Sequence, residues 1–234
     1  MDLKESLKQQ AAYRAADYVE SGMVLGLGTG STTKFAIERI AELFKSGRLK
    51  DIVGVPSSHQ TEKLAQALGI PLTTLNDHPE IELTIDGADE VDSDLNLIKG
   101  GGGALLREKI LAQASRRNII IVDESKLSSQ LGIQWALPVE VIPFARQTAE
   151  NFLKFLGASV TLRSNVDASP FRTDQNNLIL DADFGAIPDP QKLAFQLSGR
   201  AGIVEHGLFL GLASEVIVAG EDGIRLLKRN NPHE

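Results

Sequence analysis

MVLGLGTGSTTKFAIERIAELFKSG, residues 23–47, holds the pattern that decides the fold. Met23 to Leu27 is a short apolar run, bounded by the glycine loop Gly26-Leu27-Gly28-Thr29-Gly30, and reads as a buried strand. Phe35, Ala36, Ile40, Leu43 and Phe44 then recur on one face of a helix that stops before Gly47. Strand, glycine turn and amphipathic helix together make a β-α unit. Upstream, Leu3, Leu7, Ala11, Ala15 and Val19 recur every four residues, which predicts a helix ending near Gly22. Downstream, strands are predicted at Ile52–Val55, Leu72–Leu75, Leu83–Ile85 and Asn118–Val122. Between them lie a helix capped by Ser58 and stopped at Gly69, and another from about Ala104 to Ala114. Apolar strands separated by helices predict parallel β-α-β units with both sheet faces covered.

After about Leu131 the rhythm changes. Ala136–Ile142 reads as a strand, Ala145–Leu156 as a helix and Ala158–Arg163 as a strand. Leu178–Asp183, Pro190–Leu197 and Gly202–Glu205 read as strand, helix and strand, with the polar stretch 164–177 as a hairpin loop. That β-α-β-β-α-β order predicts a small ferredoxin-like α+β domain. Glu215–Ala219 and Ile224–Leu227 flank a Gly220–Gly223 turn and return the chain to the first domain. The expected division is 1–131 plus 206–234 as a Rossmann-like domain, with 132–205 as the smaller one.

Composition removes several function classes. The 234 residues include no cysteine, which excludes a disulfide scaffold, a thiolate zinc site and a cysteine nucleophile. A net charge of −7 argues against nucleic acid as a partner. The polar start MDLKESLKQQ does not read as a signal peptide, and no apolar run reaches the ~20 residues needed to span a bilayer. A cytoplasmic protein without membrane contact is the expectation.

Four motifs carry chemistry, and each follows a predicted strand of the first sheet. In the first, Thr29, Gly30, Ser31 and Thr32 offer hydroxyls and helix-start amides to an anion. A dinucleotide fingerprint fits poorly, because its third glycine would fall on Ser31 and the second strand ends in Pro56-Ser57-Ser58 rather than an acid. A turn needed only for chain geometry is the competing reading. Asp86-Gly87-Ala88-Asp89-Glu90 could hold a divalent cation, move protons, or be a solvated acidic turn. In Lys99-Gly100-Gly101-Gly102-Gly103, followed by Glu108, four successive glycines are costly to order unless backbone amides must face a ligand. Lys99 and those amides could stabilise an oxyanion while Glu108 moves a proton. The fourth motif, Asp123-Glu124-Ser125-Lys126, places Lys126 where it could reach a phosphate. His59, His78, His206 and His233 all lie outside these motifs, so a transition-metal site is not expected. Acid–base chemistry by carboxylates and lysines on a small anion remains.

GLGTGSTT, DGADE, IKGGGGALLREK and VDESK, in this order and spacing, resemble the ribose-5-phosphate isomerase type A family over essentially the whole chain. The resemblance implies a Rossmann-like domain with a smaller α+β domain. It implies reversible interconversion of D-ribose 5-phosphate and D-ribulose 5-phosphate without cofactor or metal, in the non-oxidative pentose phosphate pathway. It also implies a homo-oligomer, dimer or tetramer. By the same resemblance Glu108 matches the general base, Lys99 the cation at the reacting oxygens, and Asp86 and Asp89 the acids of the sugar site, with Asp86 a candidate for ring opening. Thr29–Thr32, Gly87, Ala88, Gly100, Gly101, Gly102 and Lys126 match substrate-binding positions, and Lys8 is a looser candidate at the phosphate. A non-catalytic sugar-phosphate sensor is the alternative from another class, disfavoured because no basic or helix-turn-helix segment flanks the domain.

Overall fold

The computed structural model describes residues 2–229; His233 and the end of the expected first domain lie outside the described residues. In chain order the elements begin α1 (Leu3–Ala16), β1 (Val24–Leu27), α2 (Ser31–Lys45), β2 (Val53–Pro56), α3 (His59–Ala67) and β3 (Ile81–Asp86). Next come β4 (Glu90–Val91), β5 (Leu97–Ile98), α4 (Leu105–Ala114) and β6 (Ser115–Asp123). The remainder is β7 (Leu137–Val141), α5 (Arg146–Phe155), β8 (Ser159–Leu162), β9 (Leu178–Asp183), α6 (Pro190–Ser198), β10 (Ile203–His206), β11 (Leu208–Phe209), β12 (Glu215–Gly220) and β13 (Gly223–Lys228). The chain divides into two compact units: 1–88, 107–126 and 211–234 form the first, and 89–106 with 127–210 form the second.

The first unit is built on a six-stranded sheet of order β13-β12-β6-β3-β1-β2. Its pairs are parallel except the terminal hairpin β12–β13. Leu25, Leu27, Leu83, Ile85, Ile119, Ile121 and Ile217 bury against Leu7, Ala11 and Ala15 of α1 and Ile37, Ile40 and Ala41 of α2. A second cluster, Val24, Val55, Ile81 and Leu111, ties the strands to α4. Every residue of β1 and β12 is buried, as continuous apolar strands in a covered parallel sheet require. Ser58 caps α3 by accepting the Thr61 N–H, as its sequence position predicts.

Two expected elements differ in this unit. α1 ends at Ala16 instead of near Gly22, because Tyr18 and Val19 turn their N–H groups onto Ala15 and Ala16 in tight turns. Val19 still packs in the core. Leu72–Leu75 is no strand; only Leu72 bridges Gly54 on the edge strand β2. The Thr74 hydroxyl accepts the N–H groups of Asn76 and Asp77 and diverts the backbone into a turn.

The second unit carries a four-stranded antiparallel sheet of order β10-β7-β9-β8, the ferredoxin-like arrangement. Leu137, Val139, Val141, Leu178, Leu180 and Ala182 face α5 and α6 through Ala149, Leu153, Leu193 and Leu197. A short 3-10 turn, Pro143–Ala145, precedes α5, so the helix starts at Arg146 and not at Ala145. Asp189 caps α6 and Pro190 opens it.

Residues 89–106, expected in the first domain, group with this unit. β4 and β5 pair with each other and β5 with β11 in a small antiparallel sheet absent from the sequence reading. The Glu90 carboxylate accepts the N–H groups of Gly132, Gln134 and Trp135, binding the segment to the chain that follows. Residues 127–131 and 206–210 also fall in the second unit rather than the first.

Candidate active site

The first unit organises one group of expected residues at the carboxyl ends of β1 and β3. Gly28 leaves β1 with its N–H on the Ile85 carbonyl, 3.0 Å away. A Cβ at Gly28 would lie 2.7 Å from the Asp86 Cα, so only glycine lets the two strand ends approach this closely. Asp86, 2% exposed, accepts the N–H of Gly87 at 2.7 Å and of Thr29 at 3.2 Å through Oδ1. These bonds fix the position of one carboxylate oxygen. Ala88 follows, partly buried like Gly87.

Gly30 is the residue before α2, with φ at +127°, a region that L side chains rarely adopt. It carries the chain into a helix start with no side-chain cap, whose first-turn amides suit an anion. Ser31 and Thr32 open that turn. The Ser31 hydroxyl accepts from the Lys8 ammonium at 2.9 Å, bringing the looser phosphate candidate to this loop. Thr29 points the other way. Its hydroxyl lies 2.7 Å from those of Ser57 and Ser58 and 3.1 Å from that of Thr61. This cluster went unread in the sequence, although Pro56-Ser57-Ser58 was noted for lacking an acid. Three hydroxyls after the second strand were the available signal.

Glu108 sits in the first turn of α4, 5% exposed, and belongs to the first unit. Lys126 closes the 3-10 turn Glu124–Lys126 immediately after β6 and is partly buried. Asp123, at the end of β6, accepts from the Ser125 backbone and hydroxyl.

The remaining expected residues lie in the second unit. Asp89 accepts the Gly101 N–H on Oδ2 at 2.7 Å. A Cβ at Gly101 would come within 3.0 Å of the Asp89 Cγ, so the loop and the acid are mutually fitted. Gly100 and Gly103 hold φ of +104° and +81°, the left-handed region that favours glycine. Gly102 lies between them. The Gly103 N–H closes the loop on the Gly100 carbonyl at 2.9 Å. Lys99 is 3% exposed, with its ammonium 5.5 Å from the centre of the Phe209 ring. The guanidinium of Arg163, which no motif singled out, donates to the carbonyls of Gly100 and Gly101.

Among the described residues no group of three or more His, Cys, Asp or Glu side chains is placed to hold a metal ion. His59 and His78 meet Glu62 and Thr73, and the buried His206 meets Ser198. No helix among the described residues is long and apolar enough to cross a membrane.

The sheets define a mixed α/β protein with a Rossmann-like unit and a small antiparallel unit, and Gly28 and Asp86 stand at strand ends of the first, where open α/β sheets bind small molecules. Lys99–Gly103 instead follows β5 of the small antiparallel sheet, not a strand of the first sheet as expected, because β5 pairs with β4 and β11. The chain belongs to the family described as ribose 5-phosphate isomerase A (phosphoriboisomerase A), which matches residues 53–223. Ribose-5-phosphate isomerase A of Desulfatibacillum aliphaticivorans is 61% identical over 228 residues, covering 97% of this chain and 99% of that protein. A solved D-ribose-5-phosphate isomerase in complex with phospho-erythronic acid superposes with a TM-score of 0.95. It is 41% identical and covers 98% of this chain and 100% of its own. Ribose 5-phosphate isomerase from Plasmodium falciparum gives a TM-score of 0.93 at 44% identity, covering 97% of this chain and 100% of that one.

Proposed function

We propose that this chain interconverts D-ribose 5-phosphate and D-ribulose 5-phosphate, with Glu108 as the base that moves a proton between C2 and C1. The family match over residues 53–223 carries the reading, because that span holds Asp86, Asp89, Lys99, the glycine loop, Glu108 and Lys126. The related isomerase bound to phospho-erythronic acid supports the mechanism. The carboxylate of that acid has the planar two-oxygen shape of an enediolate, and complementarity to such a shape is what accelerates the reaction.

In the proposed sequence Asp86 assists opening of the furanose ring. The Glu108 carboxylate then takes the C2 proton of the open aldose, and the electron pair moves through C1=C2 onto O1. The Lys99 ammonium and the amides of Gly100 and Gly102 stabilise that charge, while the Gly101 N–H holds Asp89 in place. Return of the proton to C1, with transfer of the O2–H proton to O1, leaves the ketose. Asp89 orients the sugar hydroxyls. Thr29, Gly30, Ser31, Thr32, Gly87, Ala88 and Lys126 bind the rest of the substrate, with the α2 start, Lys126 and Lys8 suited to the phosphate by charge.

The step as written uses no metal, so we propose that turnover survives chelation. We also propose a cytoplasmic enzyme and a homo-oligomer, a dimer or a tetramer. Phe144, Phe155 and Phe195, at 97%, 84% and 82% exposed, are large apolar side chains suited to association between copies. The deciding assay couples ribulose 5-phosphate formation to purified protein. Glu108→Gln should lose at least about a hundredfold in kcat while remaining folded and binding substrate; turnover near that of the parent would remove Glu108 from the base role.

A further inference from the structure

We infer that Arg163 is a positioning residue for the isomerisation, acting through the glycine loop and Asp89. The inference rests on the reading above, in which that loop and Asp89 contact the sugar. Arg163 lies on the chain just after β8, and its guanidinium is forked onto Asp181 of β9. Nε donates to Oδ2 at 2.9 Å and Nη2 donates to Oδ1. A bidentate carboxylate pair fixes both the plane and the direction of a guanidinium. The side chain is 14% exposed. Its free edge is therefore aimed: Nη1 donates to the Gly100 carbonyl at 2.7 Å and to the Gly101 carbonyl at 3.0 Å.

Two successive carbonyls drawn to one cation determine two peptide planes. In a planar trans peptide the N–H points opposite to the carbonyl that precedes it. With the Gly100 carbonyl on Arg163, the Gly101 N–H is turned to the other side, where it meets Asp89 Oδ2 at 2.7 Å. With the Gly101 carbonyl on Arg163, the Gly102 N–H is likewise turned away from the guanidinium. The cation polarises both peptides and strengthens both N–H groups as donors. Phe171 packs against the Gly103 end of the loop, beside Arg163. Its ring lies 5.9 Å from the Arg163 guanidinium carbon, and a Cβ at Gly103 would run into it. A glycine run has no side chains to hold its shape, so its amides need an external clamp to point one way. Asp181, Arg163 and Phe171 provide that clamp.

The experiment compares the parent with Arg163→Met, Arg163→Lys and Asp181→Asn, each with folding checked by circular dichroism. For each, kcat and KM are measured per active site, together with the affinity for phospho-erythronic acid. Arg163→Met should lower kcat about 10- to 100-fold with KM changed less than about threefold, since the loop acts on charge that develops during reaction. Affinity for the acid should fall with kcat/KM, and Arg163→Lys should recover part of both by reaching one carbonyl. Asp181→Asn should show a smaller loss of the same kind. A purely structural role would reduce the folded fraction and leave kcat and acid affinity per active site unchanged, which overturns the inference. If Arg163→Met does not fold, Arg163→Lys and Asp181→Asn decide in the same way. A parent that fails to isomerise ribose 5-phosphate would refute the functional reading itself; an active parent with unaffected variants would refute only the clamp.

Discussion

Asp86 and Gly28 show how much a single missing methyl group does in this protein. A Cβ at Gly28 would press on the Asp86 carboxylate and lie 2.7 Å from its Cα, so Gly28→Ala must push apart the ends of β1 and β3. Near catalytic groups a shift of about 1 Å costs on the order of a hundredfold in rate. Gly28→Ala is therefore expected to lose at least tenfold in kcat/KM, about the lower end of that cost, with near-parental helix content by circular dichroism. Unchanged kcat/KM would mean that the Asp86 position is not critical. The glycines and acids of these loops were legible in the sequence because they stand as compact runs beside predicted strands. Their partners were not. Thr29 meets Ser57 from 28 positions away, and Arg163 meets Gly100 from 63 positions away. No local pattern records a bond across such separations.

The same contrast holds for elements. Strands of four or more apolar residues and amphipathic helices announce themselves by period, and β1, β2, β3, β6 and the β-α-β-β-α-β unit were legible for that reason. β4, β5 and β11 have two residues each, too few to display alternation. They decide where 89–106 belongs, so the expected division missed that segment. Leu72–Leu75 had strand composition, but a threonine side chain outcompeted pairing at a sheet edge.

β7 carries an element-scale prediction. Glu140 is fully buried, and burial pushes its carboxyl pKa up. Hydrogen bonds from Asn177 and Thr173, both at 2.9 Å, oppose that rise, and the nearby charges of Glu205 and Asp174 add to it. A folded-state pKa above the unfolded one means that the folded chain holds the proton more tightly. Stability is then greatest below the ordinary carboxylate pKa and falls as pH rises through the raised value. Glu140→Gln keeps the acceptor for Thr173 and Asn177 and removes the charge. Its thermal midpoint should match the parent below the ordinary carboxylate pKa, gain on it as pH rises through the raised value, and keep a constant advantage above that. A difference that does not change with pH would show that Glu140 keeps an ordinary pKa.

At the scale of the whole molecule the net charge of −7 and an anionic substrate set opposing demands. On the proposed reading the field that attracts phosphate comes from local groups, the α2 start, Lys8 and Lys126, inside an acidic protein. Activity should accordingly fall with rising ionic strength mainly through KM, as steady-state assays across a salt series would show; a loss confined to kcat would contradict it. Val139–Phe144, the most apolar stretch around β7, is mostly consumed within its own unit. Val139 and Val141 are buried in its core, and Phe144 remains 97% exposed. Light scattering should give a particle mass of at least twice the 25.3 kDa chain, and a mass of one chain would refute association.

The central claim is that one carboxylate, Glu108, moves the proton. Ribose 5-phosphate carrying deuterium at C2 tests it most directly, with the label followed by NMR. The parent protein should remove deuterium from C2 and deliver it to C1 of ribulose 5-phosphate or to water. Folded Glu108→Gln should leave the label on C2 over the same period. Label leaving C2 at the parental rate in that variant would contradict the account.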